Sequence, residues 1–231
     1  MPTVLVTGSN RGIGLEFCRQ YAEAGWKVLA CCRRPEQASN LRGLATEWPS
    51  VSIHQLEVEN FDQIDALAHA LASEPIDVLI NNAGVYGGSS QNILGTLDYD
   101  LWARVLKINT QAPVKMTEAF LPHVLRSQRK LVLAITSLMG SMGDNSSGGA
   151  ILYRTSKAAL NAAMKSIAID LKPRGIGVLI LHPGWVKTDM GGSNAPTSPA
   201  ESVAGLRRVI EDFKPGDSGR FLDFRGRELP W

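Results

Sequence analysis

The stretch TVLVTGSNRGIG, residues 3–14, decides the fold that the rest of the chain is expected to adopt. Residues 3–7 are apolar or β-branched, which is typical of a short strand covered on both faces. The three glycines that follow predict a tight turn. Apolar residues that recur from Ile13 to Ala24 then predict a helix, which Gly25 ends. A strand joined to a helix by a glycine-rich turn is a typical first unit of a parallel α/β sheet.

Strands and helices alternate along nearly the whole sequence. The longest predicted helices cover 98–126 and 153–172, and no linker or repeat divides the chain. Right-handed crossovers between the strands give a parallel sheet with helices on both faces. We therefore predict an α/β fold, a single doubly wound Rossmann-type domain over 1–231 with about seven strands. The predicted strands are 3–7, 26–32, 51–56, 76–80, 130–136, 177–181 and 219–223.

Composition and charge exclude several classes of protein. The 231 residues are 44% hydrophobic and carry a net charge of +2, as in an ordinary globular protein. No basic block indicates nucleic-acid binding, and no apolar run approaches the ~18 residues of a membrane span. The start of the chain lacks a signal-peptide pattern, so the cytoplasm is the expected location. Cys18, Cys31 and Cys32 fit buried free thiols, and no metal site is expected.

The glycine-rich turn at 8–14 has a specific use in this position. Glycines let the backbone approach a pyrophosphate at the N-terminus of the following helix. Such a turn alone is weak evidence, and a plain turn is the alternative. Its place in the first strand–turn–helix unit favours nucleotide binding.

The end of the second strand distinguishes the two nicotinamide dinucleotides. An acidic side chain about 20 residues beyond the turn would hold the ribose 2′-hydroxyl of NAD. The sequence has Cys31, Cys32, Arg33 and Arg34 there instead. Arginine pairs well with a 2′-phosphate, and Arg11 adds a positive charge in the turn. The pattern favours NADP(H) over NAD(H), the alternative being that these arginines are solvated surface charges.

Tyr153 and Lys157 lie four residues apart at the start of a predicted helix, which places them on one helix face. An ammonium beside a phenol favours the phenolate, so we expect the pKa of Tyr153 to lie below its usual ~10. The pair would then donate and accept protons near neutral pH. Such spacing also arises by chance, and Lys157 alone fits a solvated helix charge.

The sequence also contains Asn81-Asn82-Ala83-Gly84, Asn109, Ser137 and Pro183-Gly184. Together with residues 7–14 and Tyr153-x-x-x-Lys157, these motifs resemble, in their order and spacing, those of the short-chain dehydrogenase/reductase family over essentially the whole chain. Residues 182–192, 218–221 and 228–231 resemble the branch that contains the sniffer-type carbonyl reductases and the bacterial C-factor proteins. The resemblance implies an NADPH-dependent oxidoreductase that reduces an aldehyde or ketone to an alcohol.

The resemblance implies catalytic roles for four residues. Tyr153 would be the general acid that protonates the nascent alkoxide, and Lys157 would lower its pKa and bind the nicotinamide ribose. Ser137 would hold the substrate carbonyl, and Asn109 would anchor a water relay through Lys157. From the residues alone, Ser137 also fits a turn and Asn109 a structural position in a helix. Ser141, in the following loop, is the alternative to Ser137.

The resemblance also implies a set of cofactor contacts. Two positions depart from the family pattern: Glu57 stands where aspartate is usual, which would shift the contact with adenine, and Thr155 stands where alanine is common. The expected cofactor-binding residues are Gly8, Ser9, Asn10, Arg11, Gly12, Ile13, Gly14, Arg33, Glu57, Val58, Asn82, Ala83, Gly84, Tyr153, Lys157, Pro183, Gly184, Val186 and Thr188.

Three loops, 85–94, 139–151 and 185–196, are expected to surround a small-molecule carbonyl substrate, with about 185–200 acting as a lid. Met139, Met142, Trp185 and Met190 favour an apolar pocket, although they also fit ordinary packing.

Two other functions stay open. One is a C-factor-like signalling protein whose cofactor binding gates partner binding, and the other is alcohol oxidation. The family associates through helices corresponding to 98–126 and 150–172, so a homodimer or homotetramer is expected.

Overall fold

The computed structural model describes residues 1–88 and 93–231 and contains one parallel sheet. Its strands are β1 Thr3–Thr7, β2 Lys27–Cys32, β3 Val51–Gln55, β4 Val78–Asn81, β5 Leu131–Ile135, β6 Gly177–His182 and β7 Phe221–Asp223. Their order is β3-β2-β1-β4-β5-β6-β7, which confirms the predicted doubly wound Rossmann-type domain of seven strands. The order reverses between β1 and β4, and that reversal opens a crevice at the carboxyl ends of these strands.

Helices cover both faces of this sheet. Within the described ranges they are α1 Gly12–Glu23, α2 Ser39–Glu47, α3 Phe61–Ala70, α4 Tyr99–Leu106, α5 Ala112–Arg126, α6 Ile151–Leu171 and α7 Pro199–Glu211. Because side chains alternate along a strand, Val4 and Val6 of β1 pack on the face of α1, α2 and α7. Leu5 packs on the opposite face with α3, α5 and α6. Covering both faces explains why the central strands are apolar throughout.

The helix predicted over 98–126 is not regular. Between α4 and α5 the chain forms five residues of π-helix, Lys107–Gln111, with Asn109 fully buried at its centre. A π-helical turn accommodates an extra residue, and such turns are frequent at functional sites. The apolar spacing continues on both sides of the insertion, so periodicity predicted a single uninterrupted helix.

Two properties of the described residues bear on the class of protein. None of their helices combines the length and the apolar character that crossing a bilayer requires. Their His, Cys, Asp and Glu side chains form no group of three or more that would hold a metal ion.

Candidate active site

A cavity of about 1110 Å³ lies at the carboxyl edge of the sheet, where the loops after β1 to β6 meet the first turns of α6. All but two of the predicted site residues line it, the exceptions being Ser9 and Asn109. The lining residues are Gly8, Asn10, Arg11, Gly12, Ile13, Gly14, Arg33, Glu57, Val58, Asn82, Ala83, Gly84, Ser137, Tyr153, Lys157, Pro183, Gly184, Val186 and Thr188.

The glycine turn between β1 and α1 has no room for side chains. A Cβ atom added to Gly14 would lie 2.2 Å from the oxygen of Gly8, and one added to Gly8 would lie 2.9 Å from Cα of Ala83. Asn82 holds the turn in place, since its Nδ2 donates to the oxygens of Thr7 at 2.9 Å and Gly8 at 3.2 Å. The backbone is therefore bare where the N-terminus of α1 meets the cavity, which fits a bound pyrophosphate.

Ser9, which was predicted to bind the cofactor, does not line the cavity. Its side chain is fully buried, and its hydroxyl donates to the oxygen of Val6 at 2.7 Å. Its backbone N–H donates to the oxygen of Cys31 at 3.0 Å. Ser9 therefore ties the turn to β1 and β2, because its side chain points into the protein and away from the cavity.

Tyr153 and Lys157 reach the cavity together from one face of α6, as their spacing predicts. Tyr153 is only 8% exposed. Burial raises the pKa of its phenol to about 12, while a hydrogen bond with the Ser137 side chain acts in the opposite direction. The expectation that the pKa would lie below 10 is wrong for this structure, because loss of hydration outweighs the favourable contacts.

The Lys157 ammonium lies over the ring of Tyr153 and is hydrogen-bonded to the end of β5. Its Nζ donates to the backbone oxygen of Ile135 at 2.9 Å and lies 5.7 Å from the centre of the Tyr153 ring. The side chain is buried, and burial lowers its pKa from 10.5 to about 8. The charged form of Lys157 at the edge of the cavity is therefore less stable than that of a lysine in water.

Asn109 lies behind the cavity wall. Its Oδ1 accepts from Val85 N–H at 2.8 Å, and its Nδ2 donates to the oxygen of Val85 at 2.8 Å and to Oγ of Ser156 at 2.9 Å. A Cβ added to Gly84 would lie 3.3 Å from Asn109 Oδ1 and 3.6 Å from Lys157 Nζ. Asn109 thus fixes the loop after β4 to α6, next to Lys157.

The structure separates the two candidate serines. Ser137 lines the cavity, where its Oγ accepts from Met139 N–H at 3.1 Å. Ser141 Oγ donates to the backbone oxygen of Trp231 at 3.0 Å and accepts from Asp144 N–H at 3.0 Å. Ser141 does not line the cavity, and its hydroxyl anchors the loop that follows β5.

Two of the three arginines predicted to meet phosphate groups lie beside carboxylates. Arg33 Nε lies 3.4 Å from Glu57 Oε2 at the ends of β2 and β3, and Arg11 forms an ion pair with Asp189. The side chains of Arg33 and Arg11 are 57% and 69% exposed, so the ion pairs hold these two arginines weakly. The positive charges are therefore available to an anion that enters the cavity.

The segment after β6 lies against the glycine turn. A Cβ added to Gly12 would lie 3.1 Å from Cγ2 of Thr188, and Nε1 of Trp185 donates to the oxygen of Gly191 at 2.7 Å. Movement of 185–200 as a lid stays a prediction. Of the predicted substrate loop 85–94, residues 89–92 lie outside the described residues.

Three of the lining residues for which the sequence predicted no role of their own contribute to the chemistry of the cavity. Tyr86 packs its ring against that of Tyr153, with centroids 4.8 Å apart. His182, whose pKa burial lowers to about 4, directly precedes the Pro183-Gly184 motif. Asp189 pairs with Arg11 across the cavity. An aromatic residue two positions after Gly84 was the available signal for Tyr86, whereas nothing in the sequence pointed to the ion pair.

A parallel sheet whose order reverses beside a glycine-rich turn defines the Rossmann class of α/β proteins. The family model described as short chain dehydrogenase matches residues 2–198, and the chain belongs to that family of oxidoreductases.

Individual relatives agree with the predicted branch. C-signal of Myxococcus xanthus is 47% identical over 166 residues, which cover 72% of this chain and 99% of C-signal. The structure of the carbonyl reductase Sniffer of D. melanogaster superposes with a TM-score of 0.93 and 34% identity, covering 100% of both chains. NADPH-bound carbonyl reductase from chicken fatty liver also has a TM-score of 0.93 and 34% identity, covering 100% of this chain and 99% of its own. The resemblance to the sniffer-type and C-factor branch is thereby confirmed.

Proposed function

We propose that this protein reduces an aldehyde or ketone to an alcohol with NADPH. The observation that carries the proposal is one cavity in which a bare glycine turn and a buried Tyr153–Lys157 pair are joined. The chicken relative, which has bound NADPH and is a carbonyl reductase, supports both the cofactor and the reaction. NADPH supplies the hydride when bound, and the protein supplies orientation and charge.

The lining residues fit NADPH along the length of the cavity. The backbone of the glycine turn would hold the pyrophosphate at the start of α1, and Glu57 and Val58 would border the adenine. Arg33, with Arg34 beside it in the lining, would pair with the 2′-phosphate. Lys157 would bind the nicotinamide ribose. A 2′-phosphate would compete with Glu57 for Arg33, since the two groups are both anionic.

The high pKa of Tyr153 supports its role as the acid. A phenol with a pKa of about 12 is protonated at neutral pH and ready to donate. An alkoxide formed from the carbonyl is a far stronger base, so the proton transfer is downhill. Ser137, beside the phenol, would hold the same oxygen. The Lys157 ammonium would then stabilise the phenolate that remains, and Asn109 behind Gly84 would hold a water that returns the proton.

The test is NADPH consumption with a panel of diketones, quinones and aldehydes. Tyr153→Phe is expected to lower kcat by at least about 100-fold while NADPH affinity stays similar, because only the proton donor is removed. Tyr99→Phe is the matched control, since Tyr99 is exposed on α4 and does not line the cavity. Failure of the unaltered protein to oxidise NADPH with any of these carbonyls refutes the proposal, as does full activity of Tyr153→Phe.

A signalling function is the second candidate, and the 47% sequence identity with C-signal over 166 residues favours it. In that case NADPH would gate the binding of a partner protein. Proteins captured in an NADPH-dependent way by both the unaltered protein and Tyr153→Phe would support this candidate. Capture that does not respond to NADPH would contradict it. Alcohol oxidation with NADP⁺ is the third candidate, and it is measured in the same assay run in reverse.

We also propose association into a homodimer or homotetramer through α4, α5 and α6. Ile169, on one of these helices, is an exposed large hydrophobic residue. Light scattering coupled to size exclusion should give a mass of two or four chains for the unaltered protein and a smaller mass for Ile169→Asp. A monomeric mass for the unaltered protein contradicts this proposal.

A further inference from the structure

We propose that Tyr86 determines which carbonyl compounds the site accepts, and that its ring selects substrates with a flat aromatic group. This inference rests on the proposed carbonyl reduction and specifies its substrate class.

Tyr86 occupies the approach to Tyr153. The two ring centroids are 4.8 Å apart with a 34° angle between the rings, so Tyr86 covers much of the phenol. Tyr86 itself remains 43% exposed, whereas Tyr153 is 8% exposed. A substrate whose carbonyl oxygen reaches the Tyr153 hydroxyl therefore meets the uncovered part of the Tyr86 ring.

The residues on both sides of Tyr86 are held firmly. Val85 is bound through its N–H and its oxygen to Asn109, both at 2.8 Å. Gly87 has a φ of 87°, and a Cβ added there would lie 2.7 Å from Val105 Cγ2 and 3.4 Å from Leu152 Cβ. The backbone thus fits tightly against α4 and α6 on one side and is hydrogen-bonded on the other. A ring presented from such a backbone is positioned before the substrate arrives.

The cavity lining contributed by the two loops that contain Tyr86 and Ser137 favours an uncharged substrate. The lining residues that the loops after β4 and β5 contribute, among those the structure describes, are all uncharged. Three apolar side chains with an aromatic ring or a polarizable sulfur, Met139, Trp185 and Met190, line the same cavity, and both residue types interact favourably with aromatic rings. An aromatic aldehyde or ketone would bury its ring against these groups while its carbonyl meets Ser137 and Tyr153.

The experiment compares benzaldehyde with cyclohexanecarbaldehyde, which has the same number of ring atoms but is not flat. The quantity measured is the ratio of kcat/KM for the two aldehydes with NADPH. Loss of an aromatic pair should lower this ratio about two- to tenfold in Tyr86→Leu, while Tyr86→Phe keeps it. Because both aldehydes use Tyr153, any change in its acidity cancels in the ratio. The control Tyr99→Leu removes an exposed tyrosine outside the cavity lining.

Each outcome decides between the inference and the proposed function. An unchanged ratio in Tyr86→Leu, with both aldehydes reduced, overturns the role of Tyr86 and leaves the carbonyl reductase proposal standing. An equal fall in Tyr86→Phe and Tyr86→Leu overturns the role of the ring, because the hydroxyl would then be responsible. If the unaltered protein oxidises NADPH with neither aldehyde nor any other carbonyl of the panel, the proposed function fails and the inference fails with it.

Discussion

Burial of the Lys157 ammonium should make the free energy of unfolding rise with pH between about 8 and 10.5, and removal of this lysine should abolish that rise. Burial lowers the pKa of Lys157 from 10.5 to about 8, and no ion pair involving it is present among the described residues. Each pKa unit corresponds to about 1.4 kcal/mol, so charging Lys157 in the folded protein costs about 3 kcal/mol more than in the unfolded chain. Between these two pKa values the unfolded state holds more protons, and stability therefore rises with pH.

The variant that tests this is Lys157→Met, which keeps an unbranched side chain of similar length. The free energy of unfolding of the unaltered protein minus that of the variant should rise by about 3 kcal/mol from pH 7.5 to 10.5. The buried thiols of Cys18 and Cys31 have raised pKa values, as does Tyr153, and these groups lower stability at high pH. They are common to both proteins and cancel in the difference. The bond to Ile135 is lost at every pH and adds an offset of about 1–3 kcal/mol.

Urea denaturation followed by circular dichroism at several pH values gives this difference curve. Lys172→Met is the control, because Lys172 is an exposed lysine directly after α6. A difference curve for Lys157→Met that is flat from pH 7.5 to 10.5, or that falls, would refute the reasoning, because the folded protein would then hold the ammonium as easily as water does.

Three further predictions concern the cavity. Gly14→Ala should abolish NADPH binding in a calorimetric titration, because its Cβ would lie 2.2 Å from a backbone oxygen of the turn. Gly43→Ala in α2, whose added Cβ would meet nothing within 4 Å beyond the backbone of its own helix, should instead stabilise the protein by about 0.5–1 kcal/mol. Arg33→Ala should weaken NADPH binding about tenfold or more and leave NADH binding nearly unchanged, as two titrations would show. Ser137→Ala should lower kcat about 100-fold in the reductase assay, whereas Ser141→Ala should retain turnover and lose about 1–2 kcal/mol of stability.

Each of these predictions has a result that would contradict it. Normal NADPH binding by Gly14→Ala would show that the turn does not carry the pyrophosphate. Equal losses of NADPH and NADH affinity in Arg33→Ala would remove the argument for a 2′-phosphate site. A greater loss of turnover in Ser141→Ala than in Ser137→Ala would exchange the roles of the two serines.

The fold was predictable because each central strand is apolar and each surface helix carries an apolar stripe. Burying both faces of β1 requires helices above and below it, and the alternation of elements supplies them. The irregular turn of π-helix at Lys107–Gln111 was not predictable in the same way. One added residue leaves the flanking apolar spacing intact, so Asn109 was expected in a regular helix.

The candidate site was predictable in position but only partly in chemistry. Motif spacing placed Tyr153 and Lys157 on one face of α6, yet spacing contains no information about hydration, and burial dominates both pKa values. The hydrogen bonds of Ser141 with Trp231 and of Asn109 with Val85 join residues that are distant in sequence. Such contacts depend on how loops pack against one another, which local patterns do not encode.

The measurement that tests the central claim most directly follows the hydride. The protein is given an aldehyde and NADPH that is deuterated at both C4 positions, and the alcohol is analysed by mass spectrometry. The proposed reaction predicts one deuterium on the carbinol carbon of the alcohol, with production lost in Tyr153→Phe. An alcohol without deuterium, or no alcohol while the labelled NADPH remains intact, would contradict hydride transfer at this site.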